Sequence, residues 1–305
     1  KTAIEILENM DSLALHSYTD SAGILSVRQS IAESLNRRFQ EEYTAENIVM
    51  TTGAAGGLSV IFKVLLDEGD EVITFAPYFS EYDVYAANAG GRLIAIEPNI
   101  PSFLPDAKKL ERAITPKTKA IIPVDIAGFP CDYDAIMSLV KQPDIKKLFK
   151  AESDNQEKMG RILVLNDAAH SLGAWYKPGM RTGSETDIAI FSLHAVKNIT
   201  TAEGGAICLN LPEPFNNEEL YKELRQMSLN CQTKDAFSKS KAGGWRYDIA
   251  GFGMKINMAD VNAAIGLAQI RQYDRLLVER KRVFDSYNQA FSSKDWAITP
   301  PQKLN

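Results

Sequence analysis

Three cysteines and three histidines in 305 residues leave little material for a disulfide scaffold or a histidine-rich metal cage. Cys131, Cys208 and Cys231 form no CxxC pair and cannot all bond to one another, which is the usage expected in a reducing compartment. His16, His170 and His194 are scattered, so no metal is expected. Apolar runs stop well short of the ~18 residues that a membrane span requires, and Lys1 to Met10 is amphipathic and acidic, unlike a secretory signal. Neither sign of charge dominates: 34 Lys and Arg stand against 39 Asp and Glu, a net charge of −5 that offers no footprint for a polyanion. The expectation is a cytoplasmic globular protein with neither nucleic acid nor membrane as a partner.

What is present is ordinary globular composition, 45% apolar and 24% charged, with enough length for one large domain or a large one with a smaller companion. Short β-branched runs bounded by turns alternate with amphipathic stretches, which predicts an α/β fold with a mostly parallel sheet covered by helices. Seven strands are expected: Asn47 to Thr52, Glu71 to Phe75, Arg92 to Glu97, Lys119 to Val124, Arg161 to Asn166, Asp187 to Ser192 and Gly205 to Asn210. Several are apolar almost throughout, as strands covered on both faces must be. Val27, Ile31, Leu35 and Phe39 recur at helical spacing from Ile24 to Phe39. Pro105 and Asp106 open a helix over Lys108 to Ile114, with proline where its missing N–H costs nothing. Residues 143 to 160 are polar and aperiodic and read as a mobile surface excursion, as does the charged stretch from Gln232 to Gly244. One long helical pattern runs from Asp260 to Phe291, and the chain stops soon after it. The division expected is a large α/β domain over 1–245, then a long helix leading into a truncated small domain over 246–305.

Four segments at strand ends could carry chemistry. In "DIAIFSLHAVKNITTAEGG", from Asp187 to Gly205, an apolar strand delivers Ser192, His194 and Lys197 on one loop. A lysine desolvated there becomes a carbonyl-seeking nucleophile able to form a Schiff base; alone it reads equally well as a solvated loop cation. Upstream, Arg161 to Asn166 ends in Asp167, Ala168, Ala169 and His170, at the strand edge where open α/β sheets bind ligands. A buried Asp167 stays ionised only with a cation or strong donors, because a bare carboxylate is costly to bury. Otherwise Asp167 is a helix N-cap and His170 a satisfied core histidine. In "VMTTGAAGGL", Gly53, Ala54 and Ala55 follow a strand and open a helix, whose backbone N–H groups suit a phosphate. The run matches neither GxGxxG nor GxxxxGK[ST], so it advertises neither a dinucleotide nor a nucleoside triphosphate. In "FAPYFSEYDVY", Pro77 breaks a strand, and Phe79 or Tyr82 could present a flat face to an aromatic ligand, or Tyr82 and Tyr85 could simply pack.

One ligand uses all four: a phosphorylated, protonated pyridine aldehyde needs an amine, a carboxylate under its ring nitrogen, an aromatic over its face and a helix end for its phosphate. The joint pattern points to pyridoxal 5'-phosphate.

The same residues carry a family likeness. From about Lys117 to Phe291 the chain resembles the DegT/DnrJ/EryC1/StrS sugar aminotransferases, in "TPKTKAIIPVDIAGFPCDYDAI", "ILVLNDAAHSLGAWY", "DIAIFSLHAVKNITTAEGGAI" and "FGMKINMADVNAAIGLAQI". The resemblance implies the PLP-dependent transferase fold type I, with Lys197 holding the cofactor as an internal aldimine, Asp167 paired with the pyridinium, and Ser192 bonded to the phosphate. It also implies that His170 lies near the cofactor's phenolic oxygen. Relatives are homodimers with shared active sites, so Lys255 and Asn257 are expected to reach toward the neighbouring subunit's cofactor. From about Tyr18 to Pro98 the chain looks more like class I amino-acid aminotransferases, in "SYTDSAGILSVRQSIA", "NIVMTTGAAGGL" and "DEGDEVITFAPYFSEY". That likeness implies a phosphate cradle at Gly53, Ala54 and Ala55, a stacking role for Phe79, and a contact from Tyr18 to the partner's phosphate.

The lysine context decides between the two. "FSLHAVKNITTAEGG" is present, whereas the serine-rich lysine motif and the proline-asparagine segment of class I enzymes are not. The expectation is a ping-pong aminotransferase that takes an amino group from an amino acid, glutamate by resemblance, and passes it to a nucleotide-linked keto-sugar. Its rivals are a class I amino-acid aminotransferase and a non-catalytic binding or regulatory protein on the same fold. A nicotinamide-dependent reductase ranks last, for want of the glycine fingerprint.

Overall fold

The computed structural model describes residues 4–5, 8–9, 23–39, 42–100, 105–234 and 246–299. The seven expected strands all form within it: β1 (Ile48–Thr51), β2 (Glu71–Phe75), β3 (Arg92–Ile96), β4 (Thr118–Ile122), β5 (Leu163–Asp167), β8 (Ile188–Ser192) and β9 (Gly205–Leu209). They make one sheet in the order β1-β9-β8-β5-β4-β2-β3. β9 runs antiparallel to both β1 and β8, and every other pairing is parallel. β6 (Trp175–Lys177) and β7 (Met180–Arg181) form a separate small hairpin.

Alternation along each strand builds a core on both faces. On one face Val49, Ile190 and Ile207 pack with Leu58 and Phe62 of α2 (Gly53–Leu65) and Leu224 of α8 (Asn217–Met227). On the other, Ile48, Met50 and Phe191 meet Val27 of α1 (Leu25–Phe39), Ala263 of α9 (Asp260–Ile270) and Tyr273 of α10 (Tyr273–Phe291). Further along that face, Ile73, Ile121 and Val164 pack on Leu110 of α4 (Ala107–Ala113) and on Ile136 and Val140 of α5 (Tyr133–Lys141). Asp106 caps α4, accepting from the Lys108 and Lys109 amides.

Two expectations are corrected. Residues 143 to 160 are no irregular excursion but hold α6 (Pro143–Leu148) and α7 (Asp154–Met159). Pro143 sits in the first turn of α6, Ser153 caps α7, and Gly160 stops it at φ 60°. Ile145, Gln156 and Met159 are buried, so three inward side chains suffice to dock a polar sequence. The long pattern from Asp260 to Phe291 is two helices, α9 and α10, parted at Arg271 and Gln272. All three cysteines are free and buried. Among the described residues no helix is long and apolar enough to cross a membrane. Tyr18 and residues 235–244 of the second expected loop lie outside the described residues.

Candidate active site

The sheet register gathers the candidate residues at one edge. Ser192 at the end of β8 lies opposite Gly205, and Gly205 lies opposite Thr51 at the end of β1. Asp167, the last residue of β5, pairs with Ile190 of β8 and bridges to Val124 beyond β4. This is the carboxyl edge of the parallel strands, where such sheets bind ligands.

At the β1 end, α2 begins with Gly53, Ala54 and Ala55, and Gly53 has φ +77°, a conformation that glycine adopts without penalty. The N-cap residue Thr52 makes no side-chain bond to its own helix. Its N–H and hydroxyl both donate to the Ile256 carbonyl instead, at 2.8 and 2.9 Å. The first amides of α2 therefore receive no side-chain cap from Thr52 and have no partner within the helix, and a Cβ built on Gly53 would meet open space. Asn257 bridges to Thr51, which brings the segment holding Lys255 and Asn257 against this same helix start of its own chain. The Lys255 ammonium donates to the Asn257 side-chain oxygen.

Asp167 is buried. One carboxylate oxygen accepts from the Ala169 amide at 2.9 Å, and the other accepts from the hydroxyl of Tyr82. Burial pushes this carboxyl above its usual range, while the Tyr82 and Ala169 donors and the charges of His170 and Lys197 pull the other way. The turn after β5 is not a helix, so the bond to Ala169 does not make Asp167 a helix cap. His170 accepts at Nδ1 from the Ala127 amide at 3.3 Å, which leaves the ring proton on Nε2. Burial first and the Lys197 ammonium second hold the imidazole below its ordinary pKa. It is a neutral ring beside a cation, half-exposed to the site.

Lys197 is half-buried on the loop after β8. Its amide donates to the His194 carbonyl at 3.0 Å, and its carbonyl accepts from Arg280 of α10 at 3.0 Å. The neighbouring Asn198 amide donates to Leu172 and His170 carbonyls at 2.9 and 3.3 Å, which ties the lysine loop to the histidine turn. The His194 Nε2 lies 3.4 Å from the Glu203 carboxylate. Phe79 keeps 48% of its surface exposed and rests edge-on against Tyr82, with ring centroids 6.1 Å apart. Asp167, His170 and Lys197 thus form one electrostatic group, Ser192 and the start of α2 share the sheet edge beside it, and Phe79 rests on Tyr82, the first residue of α3 (Tyr82–Asn88).

Two features escaped the sequence reading. Tyr82 is fully buried and offers no flat face to a ligand; its hydroxyl serves Asp167. Behind Asp167 lies a buried acidic network. Asp125, just past β4, accepts from Ser171 and Tyr133 hydroxyls at 2.6 Å each and from the Cys131 amide at 3.1 Å. The Tyr133 hydroxyl also lies 2.6 Å from the Asn166 side-chain oxygen, and Asn166 reaches Glu185 at 2.8 Å. Tyr133 has one hydroxyl proton for two oxygen neighbours, so one of those neighbours must donate. Either Asp125 is protonated, or the Asn166 amide is turned and Glu185 is protonated. Both arrangements keep one proton on a buried carboxyl. Burial accordingly pushes Asp125 up to about 6 and, with the Asp125 charge, Glu185 up to about 7. The signal for Asp125 was an acid at a strand's carboxyl end, the rule that selected Asp167.

A parallel sheet with one antiparallel strand, carrying a lysine, a buried carboxylate and an uncapped helix start at one edge, is the architecture of fold type I transferases. The chain belongs to the DegT/DnrJ/EryC1/StrS aminotransferase family, whose sequence pattern matches residues 17–304. The match thus runs beyond 117–291 and includes the segment that resembles class I enzymes. Spr1654 of Streptococcus pneumoniae, provisionally assigned as a sugar aminotransferase and solved in a PLP form, is 33% identical with a TM-score of 0.81, over 96% of this chain and 69% of that one. Its PMP form aligns at 35% identity with the same TM-score. The spore coat polysaccharide biosynthesis protein SpsC of Bacillus subtilis is 31% identical over 87% of this chain and 63% of its own length. The uncharacterized protein MJ1066 of Methanocaldococcus jannaschii is 32% identical over 81% of this chain and 58% of its own. The chain spans about three fifths of the length of these two curated relatives.

Proposed function

We propose that this chain provides the catalytic core of a pyridoxal-phosphate-dependent aminotransferase, which takes an amino group from an amino acid and gives it to a nucleotide-linked keto-sugar. The observation that carries the reading is the grouping of Asp167, His170 and Lys197 at the carboxyl edge of the sheet, beside the uncapped start of α2. Family membership and the likeness to Spr1654 in its PLP and PMP forms support it. SpsC, by its name a polysaccharide biosynthesis protein, supports the sugar branch.

The residues fit the cofactor. The uncapped α2 amides at Gly53, Ala54 and Ala55, with the Ser192 hydroxyl, receive its phosphate. Asp167 holds a proton on the ring nitrogen, Phe79 covers the ring, and His170 stands toward the phenolic oxygen. Lys197 supplies the amine to which the aldehyde attaches. Once bound, the cofactor supplies an electron-accepting ring that lets the α-proton of an amino acid leave. In this proposal the Lys197 Nζ takes that proton and returns it, acting as the general base and acid. Glutamate is the donor proposed. The working form is a cytoplasmic homodimer with shared active sites, and Asn257 stands beside the α2 start of its own chain. Residues 1–245 form the cofactor domain, and α9 and the start of α10 pack on its sheet.

Two measurements test this. Lys197→Ala is expected to lose the yellow absorbance of the loaded protein together with transaminase turnover, and full turnover in that variant would reject the assignment. Protein aminated with glutamate is then offered nucleotide-linked keto-sugars or simple keto acids. Discharge by a keto-sugar supports the sugar reading, whereas discharge by keto acids alone makes the chain an amino-acid aminotransferase.

A further inference from the structure

Tyr82 opens α3, sits fully buried, and spends its hydroxyl on the carboxylate of Asp167. Its ring stacks on Tyr78 at 6.0 Å and takes the edge contact of Phe79 at 6.1 Å. One side chain therefore braces both the carboxylate assigned to the ring nitrogen and the aromatic assigned to the ring face. We propose that Tyr82 is a positioning residue, which keeps Asp167 ionised and aimed at the cofactor's ring nitrogen while its ring holds Phe79 over the cofactor. The proposal rests on the cofactor reading above.

A buried carboxylate remains charged only while hydrogen bonds and nearby cations replace the lost water. Among the described residues Asp167 has two hydrogen-bond donors, the Ala169 amide and the Tyr82 hydroxyl. The charged and titratable groups that act on it are His170 from its own turn, Lys197 from the loop after β8, and Tyr82 and Tyr85 from α3. His170 is held below its ordinary pKa, so its positive charge is not dependable near neutral pH. Burial and the Asp167 charge hold the Tyr82 phenol well above its ordinary value, so it keeps its proton and remains a donor. Removing that hydroxyl leaves one donor and makes the carboxyl harder to ionise.

Tyr82→Phe keeps the ring and deletes only the hydroxyl; Tyr82→Leu deletes both supports. Pyridoxal phosphate affinity is measured by equilibrium dialysis across pH 5 to 8, and melting of the cofactor-free protein is followed over the same range. The Phe variant is expected to bind about 10- to 100-fold more weakly at neutral pH, the worth of a hydrogen bond to a charged group. The acid limb of its affinity curve is expected to move to higher pH, because binding must then strip a proton from Asp167 over a wider range. Its cofactor-free form is expected to lose melting temperature more steeply as pH rises. The Leu variant is expected to be weaker still. A merely structural ring would leave both pH profiles of the Phe variant on the wild-type curves, and that result overturns the proposal. Wild-type protein that takes up no cofactor overturns the reading of the site and this proposal with it, and is distinguished from failure of the proposal alone, in which wild type and Phe variant bind alike.

Discussion

Ser192 illustrates how much one side chain on this edge is asked to do. It lies opposite Gly205 in the sheet register, and among the described residues its hydroxyl accepts the His194 amide at a long 3.4 Å, which leaves its proton for a phosphate oxygen. Ser192→Ala is therefore expected to weaken cofactor affinity by about 10- to 100-fold with little change in melting temperature, as for one lost charge-assisted bond. Equilibrium dialysis checks this, and an unchanged affinity would remove Ser192 from the phosphate site. Lys197 and Asp167 stand out in the sequence as candidates only jointly, because four strand-end segments suit one ligand, and the role of Ser192 comes from the family likeness. Tyr82 does not stand out, because aromatics spaced three apart serve a core equally well, and only the tertiary fold brings position 82 to position 167. Asn257 is a candidate by family likeness alone.

Between elements, the sites that matter are where strands and helices meet the edge. Arg161 precedes β5, and both its terminal nitrogens reach Asp187, which precedes β8, at 2.8 and 2.6 Å. Asp187 also accepts from the Val164 amide. This buried pair locks the register of β5, which ends in Asp167, against β8, which leads into the Lys197 loop. Arg161→Ala strands a buried carboxylate and is expected to cost about 3–5 kcal/mol in urea unfolding. Gly205 lies where a Cβ would fall 2.4 Å from the Gly53 carbonyl carbon. Gly205→Ala forces β9 and α2 apart and is expected to cost about 1–3 kcal/mol, with weaker cofactor binding as the distinguishing readout. The strands were legible because sheets covered on both faces read as apolar runs. α6 and α7 were not, since helices of six residues carry too little periodicity and are held by caps and by Ile145, Gln156 and Met159.

Across the fold, the buried acids give stability a definite pH dependence. Glu185 stands at about 7 in the folded protein and Asp125 at about 6, against ordinary values of 4.5 and 3.8. The folded state thus binds more protons than the unfolded one between about pH 4 and 7, so this contribution is fully present below the unfolded values and lost as pH rises through the folded ones. Asp167 is shifted in the same direction. The melting temperature is expected to fall between pH 5 and 7 and to level off above, and Glu185→Gln, which keeps the network's shape without its titration, is expected to flatten that slope. A wild-type curve that rises over this window would refute the proton count. The most direct test of the central claim is chemical: load the protein with pyridoxal phosphate, reduce with borohydride, digest, and map the modified lysine by mass spectrometry. The account predicts the label on Lys197, and no label there under saturating cofactor, or a label on a different lysine, would contradict it.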